Sequence, residues 1–463
     1  MNHSLPKGTL AYCCLSLGFT LLSRGFGFYY VKVFLNIYKV KESWFHFSQI
    51  LYMAWNAIND PLFAHFQDNT SSFLTRTRRE GILYTAPLFA LSYMIAWLPF
   101  GQSDWAVGVH LIIALCFYDT MFTFIGLLCC CLFTEMNADQ KNRLRLTRYS
   151  TIAGLIGAQN VFVLEYTSDS LQNFRAFQVT SFVIAVMACM LMMYAGLHAN
   201  TKYDTGNNGV DEDCCRDAVP EHESFWRKTW QIMREKDFLA FVTTNFFQEF
   251  HKTYLSGFTA IFCDYLIPTS QVSKAARSIF YGMTGTLGGL AVIFGAPLIG
   301  RLGYFQVIRY SFIWKFFGGL TIYFIGSSNP WLVMLFIILD SSFASATFSL
   351  FNMPLADIAD NDKKTYKRKH PISSMVFGTN AVIVKPAQSV APMIVVAILN
   401  HYGYEQLKSG LLPSSDVELI KDIMFKMLCF FPILLAIIQF CAWSQFTIRH
   451  KTMEKETEPD HAL

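Results

Sequence analysis

Apolar residues recur along the chain in twelve runs, each near the length of about 20 residues that a helix needs to cross the hydrocarbon core of a membrane. Polar stretches separate the runs. The runs lie at roughly 9–34, 44–66, 81–100, 106–134, 149–166, 176–197, 238–265, 278–299, 304–326, 331–353, 371–399 and 424–447, and we number them segments 1 to 12. The pattern predicts an all-α, polytopic membrane protein with 12 transmembrane helices.

The longest polar stretch falls between segments 6 and 7 and divides the chain into two six-helix bundles. The predicted division is an N-terminal bundle (1–197), a cytoplasmic central loop (198–237), a C-terminal bundle (238–447) and a cytoplasmic tail (448–463). Phe225, Trp226, Trp230 and Met233 alternate with charges near the end of the loop. This is typical of a helix lying along a membrane surface. A solvated linker is the alternative.

Lys and Arg are distributed unevenly between the two sets of loops. Nineteen follow even-numbered segments, against seven after odd-numbered ones. Because loops rich in Lys and Arg stay in the cytoplasm, both termini are predicted to be cytoplasmic. The glycosylation sequon that begins at Asn69 then lies in a cytoplasmic loop, and we expect it to carry no glycan.

Composition narrows the function classes. The 463 residues are 53% hydrophobic and 15% charged, and the net charge of +4 comes from short basic clusters, so no nucleic-acid partner is expected. The cysteines lie mostly in apolar runs and none has zinc-ligand spacing. Neither a phosphate-binding glycine loop nor a hydrolase motif is present, which argues against an enzyme or an ATP-driven pump. We expect a monomer in a lipid bilayer that handles a small-molecule solute, with no cofactor beyond a coupling H⁺ or Na⁺.

Segment 2 carries an acid and two amides inside an otherwise apolar helix. Asn56, Asn59 and Asp60 stand at positions i, i+3 and i+4 and therefore share one helix face. Ionisable groups at this depth are costly and usually face a bundle interior or a water-filled cavity. Asp60 can bind Na⁺ together with amide oxygens, or take up a proton. A structural acid, hydrogen-bonded to its surroundings, is the alternative.

Asp119 in segment 4 and Lys385 in segment 11 are further charges inside apolar runs. Asp119 can accept hydrogen bonds from a polar substrate or relay a proton; a structural ion pair with Arg24 or Lys385 is the alternative. Lys385 needs a carboxylate or water at this depth, and Asp60 and Asp119 are its expected partners.

Other charged side chains in the segments have simpler explanations. Lys32 and Lys315 lie within reach of the two membrane surfaces and are expected to extend toward them. Glu249, His251 and Lys252 span about one helical turn, so pairing among themselves is expected.

The residues around these charges resemble the glycoside–pentoside–hexuronide:cation symporters of the major facilitator superfamily, whose reference members are the melibiose carriers. Residues 55–61 resemble the group's Trp-Asp-Ala-x-Asn-Asp-Pro signature, and residues 133–148 resemble the loop that follows helix 4. Residues 355–368, Lys385 and residues 399–404 resemble helices 10 and 11. The resemblance implies twelve helices in two bundles and alternating access around a central cavity.

The resemblance also implies residue roles. Asn59 and Asp60, with Asn56 beside them, correspond to the cation site; Asp119 and Arg148 fall where substrate-binding residues are expected, and Lys385 where a functional lysine sits. We add Arg24, an intramembrane cation of segment 1, to the substrate-binding candidates.

Three departures from the group affect the expected mechanism. Asn56 replaces the first Asp of the signature, Thr20 replaces an acid of helix 1, and Cys116 replaces a hydroxyl near the cation. With one cation-binding carboxylate missing, proton coupling through Asp60 and uncoupled facilitation stand beside Na⁺ coupling.

The leading hypothesis is therefore a secondary transporter or facilitator of a small organic solute, similar to carbohydrate:cation symporters, with lysolipid transport as a variant. A transporter-derived receptor or scaffold that moves nothing is the alternative. The plasma membrane and endomembranes such as the lysosome are both open locations.

Overall fold

The computed structural model describes residues 7–69, 77–136, 140–199, 225–268, 270–366, 373–409 and 413–448. Every regular element within these ranges is a helix. The sequon residues Thr70 and Ser71, most of the predicted central loop and nearly all of the predicted tail lie outside the described residues.

The first seven helices cover segments 1 to 6. They are α1 (Lys7–Lys32), α2 (Glu42–Asn69), α3 (Arg78–Ile95), α4 (Asp104–Met136), α5 (Gln140–Gly157), α6 (Asn160–Ser168) and α7 (Phe174–His198). A π-helical turn, Val33–Ile37, extends α1. Segment 5 is divided between α5 and α6.

The remaining helices cover the polar stretch before segment 7 and segments 7 to 12. They are α8 (Phe225–Arg234), α9 (Lys236–Leu266), α10 (Lys274–Leu302), α11 (Tyr304–Ile325), α12 (Pro330–Leu350), α13 (Asn352–Thr365), α14 (Ser373–Val384), α15 (Ala387–His401), α16 (Tyr404–Ser409) and α17 (Ser414–Ser444). Segment 11 is interrupted at Lys385 and Pro386, because proline has no amide hydrogen and disfavours helical backbone in the residue before it.

Helix therefore covers most of each of the twelve predicted segments. Among the described residues, seven spans are both long and apolar enough to cross a membrane on composition alone. α2 and α9 are not among the seven. Both carry buried amide side chains, including Asn56, Asn59 and Gln248, which lower their mean hydropathy.

The chain forms two compact units. The first contains Met1–Gly209, Tyr254–Thr286 and Ser389–Met424; the second contains Val210–Thr253, Leu287–Gln388 and Phe425–Leu463. The predicted boundaries at 197 and 238 stay a prediction.

Within the first unit, α1 packs closely against α5 and α7. A Cβ added at Gly18 would lie 2.8 Å from the Ala188 carbonyl oxygen, and one at Gly157 would lie 2.9 Å from that of Leu17. Because lipid tails are themselves apolar, the hydrophobic effect does not drive membrane helices together. Small residues instead allow the helix backbones to pack closely.

α7 shows how these helices divide between protein and lipid. Phe177, Ser181 and Ala188 are buried, whereas Val179, Phe182, Val183, Val186 and Met190 form an exposed apolar stripe at helical spacing. An apolar stripe of this length suits contact with acyl chains.

Within the second unit, an aromatic cluster joins the start of α11 to the end of α17. Trp443 stacks on Phe305 at 5.2 Å between ring centroids and donates its indole N–H to the Phe305 carbonyl at 3.1 Å. Ile232 of α8 is buried in the same hydrophobic core. The predicted helix at the end of the central loop is thus confirmed over Phe225–Arg234. Its position on a membrane surface stays a prediction.

Candidate functional site

The polar face of α2 meets α4 at Asp119. The Asn59 amide donates to the Asp119 Oδ2 atom, and the Tyr52 hydroxyl donates to Oδ1 at 3.3 Å. Asn59 is fully buried and Asp119 is 6% exposed. Because Tyr52 and Asn59 are separated by two helical turns, one face of α2 supplies both donors.

Two threonines extend this contact along α4. The Trp55 indole donates to the Thr120 hydroxyl at 3.0 Å, and the Asn59 amide nitrogen lies 3.5 Å from the Thr123 hydroxyl. Thr120 donates its own proton to the Cys116 carbonyl at 2.6 Å. A band of polar contacts therefore fixes the register between two membrane helices.

Asn59 retains an unused acceptor inside this band. Its Oδ1 atom is buried and has no hydrogen-bond partner among the described residues. An unsatisfied buried oxygen costs roughly 1–3 kcal/mol. The cost is avoided when a cation or a water binds there.

The other cation-site candidates belong to the same helix. Asn56 is buried on α2 at 3% exposure. Asp60 belongs to α2 by its backbone, and its side chain lies outside what the structure describes. The joint cation site of Asn56, Asn59 and Asp60 stays a prediction.

Asp119 does not form the ion pair with Arg24 that the sequence offered as an alternative. The Asn59 amide and the Tyr52 hydroxyl donate hydrogen bonds to its carboxylate. Lys385 is half-buried between α14 and α15 in the second unit. Its pairing with Asp60 or Asp119 stays a prediction.

Arg24 lines a cavity of about 280 Å³ in the first unit. The lining residues are Ser16, Thr20, Arg24, Ser150, Thr151, Gly154, Leu155, Ala158 and Gly285. Arg148 stands exposed on α5, one turn before Thr151. Its predicted contact with substrate stays a prediction.

Two other intramembrane charges differ from expectation. Lys32 is buried and pairs with Asp264 at 2.7 Å instead of reaching the membrane surface. Lys315 is also buried, and its ammonium donates to Gln248 at 2.6 Å and Gln439 at 3.0 Å. Both predictions of snorkelling are wrong, because each ammonium group is buried against partners on neighbouring helices.

The charged turn of α9 is predicted correctly in part. Lys252 pairs with Glu249 at 2.7 Å, as expected from their spacing. His251 instead contacts Asp340 of α12 at 3.0 Å, with both side chains buried. Positions one or two residues apart on a helix do not face each other, which is consistent with separate partners for His251 and for the Glu249–Lys252 pair.

Sequence reasoning missed Tyr52, Thr120 and Thr123. Tyr52 lies four residues before Asn56, and Thr123 lies four after Asp119. Extending each polar face by one turn would have identified both.

The whole chain is similar to a family of transport proteins and to two vertebrate membrane proteins. The family described as MFS/sugar transport protein matches residues 11–448. Transmembrane protein 180 of Gallus gallus is 26% identical over 485 aligned positions, covering 97% of this chain and 94% of the relative. The Mus musculus protein of the same name is also 26% identical, covering 96% and 93%.

Solved transporter structures share the architecture. The nucleoside transporter NupG superposes with a TM-score of 0.64 at 11% identity, covering 95% of this chain and 99% of that one. A bacterial homologue of the human lysosomal transporter Spinster, in an inward-facing and unoccupied conformation, gives 0.63 at 11% identity, covering 97% and 99%. At such identities the likeness shows the fold alone.

Proposed function

Because the chain belongs to the MFS/sugar transport protein family, we propose that it moves a small organic solute across a membrane by alternating access. The predicted fold class, an all-α polytopic membrane protein of the major facilitator type, is confirmed. The observation that carries the proposal is the buried contact between Asn59 of α2 and Asp119 of α4. A carboxylate buried inside a membrane domain is costly and generally serves substrate or ion binding.

The proposal assigns the coupling cation to the polar face of α2. The partnerless Oδ1 atom of Asn59 is a hard oxygen donor in a buried position, and Asn56 and Asp60 follow the same helix face. Na⁺ would be held by amide and carboxylate oxygens together. A proton would instead bind the carboxylate of Asp60 or Asp119.

The proposal assigns hydroxyl recognition on the solute to Asp119. A carboxylate accepts hydrogen bonds only, so it suits the hydroxyl groups of a sugar or a nucleoside. The resemblance to melibiose carriers supports the sugar class of solute. Arg148 and Lys385 are the proposed further contacts to it.

The first test is thermal stability of the purified protein across sugars, nucleosides and lysolipids, with Na⁺ concentration and pH varied. A ligand that binds the folded state raises the melting temperature by mass action. We expect a stabilising solute whose effect disappears in Asp119→Asn. Asp104→Asn is the matched control, because Asp104 begins the same helix in an exposed ion pair with Lys41. Equal stabilisation of wild type and Asp119→Asn would remove Asp119 from the site.

The same panel separates the coupling ions. If Na⁺ occupies the α2 site, Na⁺ alone stabilises the wild type and does so less in Asn59→Ala. If a proton occupies the site, solute binding changes with pH and not with Na⁺ concentration. If neither Na⁺ nor pH changes the stability of the protein or its binding of solute, the remaining mechanism is uncoupled facilitation.

A further inference from the structure

We propose that the Arg24 cavity binds an anionic group of the solute, a carboxylate or a phosphate. The inference rests on the proposed function, since it names the chemical class of the solute that is moved. The structure assigns the role to Arg24 through its position, its lack of a partner and the residues around it.

Arg24 lies deep in the membrane domain. It falls in the middle third of the apolar span Lys7–Ile37. Among the residues that the structure describes, it has neither a hydrogen-bond nor an ion-pair partner. A guanidinium at this depth is costly unless water or an anion compensates its charge.

Other cations of the membrane helices are compensated. Lys32 pairs with Asp264, Lys252 pairs with Glu249, and Lys315 donates to two glutamine oxygens. The fold therefore supplies a local partner where a cation is structural. Arg24 departs from this pattern.

The side chain of Arg24 is directed to the cavity and not shielded by neighbouring helices. α1 packs most closely against α5 and α7, yet Arg24 is exposed and contributes to the cavity wall. Of the nine described residues lining that cavity, Arg24 alone is charged. A cavity with one cation and no acid attracts an anion, because low-dielectric walls concentrate its field.

Hydroxyl groups complete the wall. Ser16, Thr20 and Arg24 recur every four residues along α1 and so share a face. Ser16 donates to the Ser150 carbonyl at 2.9 Å and Thr20 to the Ser16 carbonyl at 2.8 Å. These protons are already used, so Arg24 supplies the charge, and its planar fork suits bidentate contact with two anionic oxygens.

The size of the cavity limits the ligand. About 280 Å³ lies just below the range for small-molecule sites, which starts near 300 Å³. Gly154 contributes no side chain to the wall, and a Cβ there would lie 3.4 Å from the Thr20 hydroxyl. The space suits a small organic anion or an anionic head group.

The experiment compares pairs of probes that differ in charge and little else. Glycerol 3-phosphate is paired with glycerol, gluconate with sorbitol, and lysophosphatidic acid with monoacylglycerol. Apparent affinities come from the rise in melting temperature of the full-length protein with probe concentration. The first two pairs test soluble anions and the third tests a lipid head group.

We expect the anionic member of at least one pair to stabilise the wild type more than its neutral partner. Arg24→Gln should weaken that binding by about 30-fold or more. Arg24→Lys should restore part of it, because charge is kept and the bidentate fork is lost. Arg175→Gln is the matched control, an exposed arginine at the start of α7 in the same unit.

Three results would overturn the proposal: no stabilisation by any anionic probe, equal stabilisation by the neutral partners, or unchanged anion binding in Arg24→Gln. Because the anionic and neutral probes are compared on the wild-type protein, the proposal is tested even if a substituted variant fails to fold. Solute flux into liposomes together with any of these three results would overturn this inference and keep the transport proposal. Anion binding without flux would do the reverse.

Discussion

Asp264 compensates two cations at once. Lys32 lies 2.7 Å from one of its carboxylate oxygens, and Arg277 lies 3.3 Å from the other. Arg277 also donates to the Ser170 hydroxyl at 3.1 Å. The Lys32 side chain is 2% exposed, so its charge depends on this carboxylate.

Asp264→Asn should lower the free energy of unfolding by about 3 kcal/mol, because Lys32 would remain buried without a compensating charge. Denaturant unfolding of the protein in detergent measures this. Asp169→Asn is the control, since the Asp169–Lys274 pair spans 3.7 Å and both side chains are exposed. That change should cost less than about 0.5 kcal/mol. Equal losses in both variants would show that burial of the Lys32 pair has no energetic weight.

At the scale of residues, the sequence predicts which polar side chains lie inside the helices but not which residues they contact. Helical spacing correctly placed Asn56 and Asn59 on one buried face of α2. It could not reveal that Asn59 meets Asp119, because the register between two helices depends on packing across their whole lengths. The same gap explains Lys32, whose partner Asp264 lies in a different segment.

At the scale of elements, close helix contacts depend on small residues. A Cβ at Gly319 of α11 would lie 2.6 Å from the Cys429 carbonyl oxygen and 2.8 Å from Ile433, both on α17. Gly295 of α10 has nothing within 4 Å of the corresponding position. The two glycines share a helical conformation and differ in their surroundings.

Gly319→Ala should therefore destabilise the protein by about 1–3 kcal/mol through overpacking. Gly295→Ala should stabilise it by roughly 0.5–1 kcal/mol, since alanine is the better helix former. Melting temperatures of the two variants, measured side by side, check the signs. Destabilisation of similar size at both positions would contradict the close approach of α11 and α17.

Element positions followed well from the apolar runs, because a membrane-spanning helix must be long and apolar. The interruption of segment 11 has a visible cause in Pro386. The interruption of segment 5 at Ala158 and Gln159 has no proline. There the Gln159 amide donates to Thr286 of α10, a tertiary contact that local pattern does not encode.

At the scale of the molecule, the excess of Lys and Arg after even-numbered segments still defines the proposed orientation, with both termini cytoplasmic.

The sequon that begins at Asn69 tests this orientation. It should remain unglycosylated when the protein is expressed in mammalian cells. A sequon engineered between α3 and α4, on the opposite side, should be glycosylated and is the positive control. If glycosidase treatment changes the gel mobility of the wild type and not that of Asn69→Gln, the sequon is glycosylated. The orientation would then be the reverse of the one proposed.

The central claim is that this chain moves a solute through a site that includes Asp119. The most direct measurement reconstitutes wild type, Asp119→Asn and Asp104→Asn into liposomes and exposes them to a mixture of small polar metabolites. Mass spectrometry then identifies what enters. The account predicts at least one organic solute that enters wild-type and Asp104→Asn vesicles faster than Asp119→Asn or protein-free vesicles. Folded, correctly inserted wild type that admits no more of any solute than protein-free vesicles would contradict it.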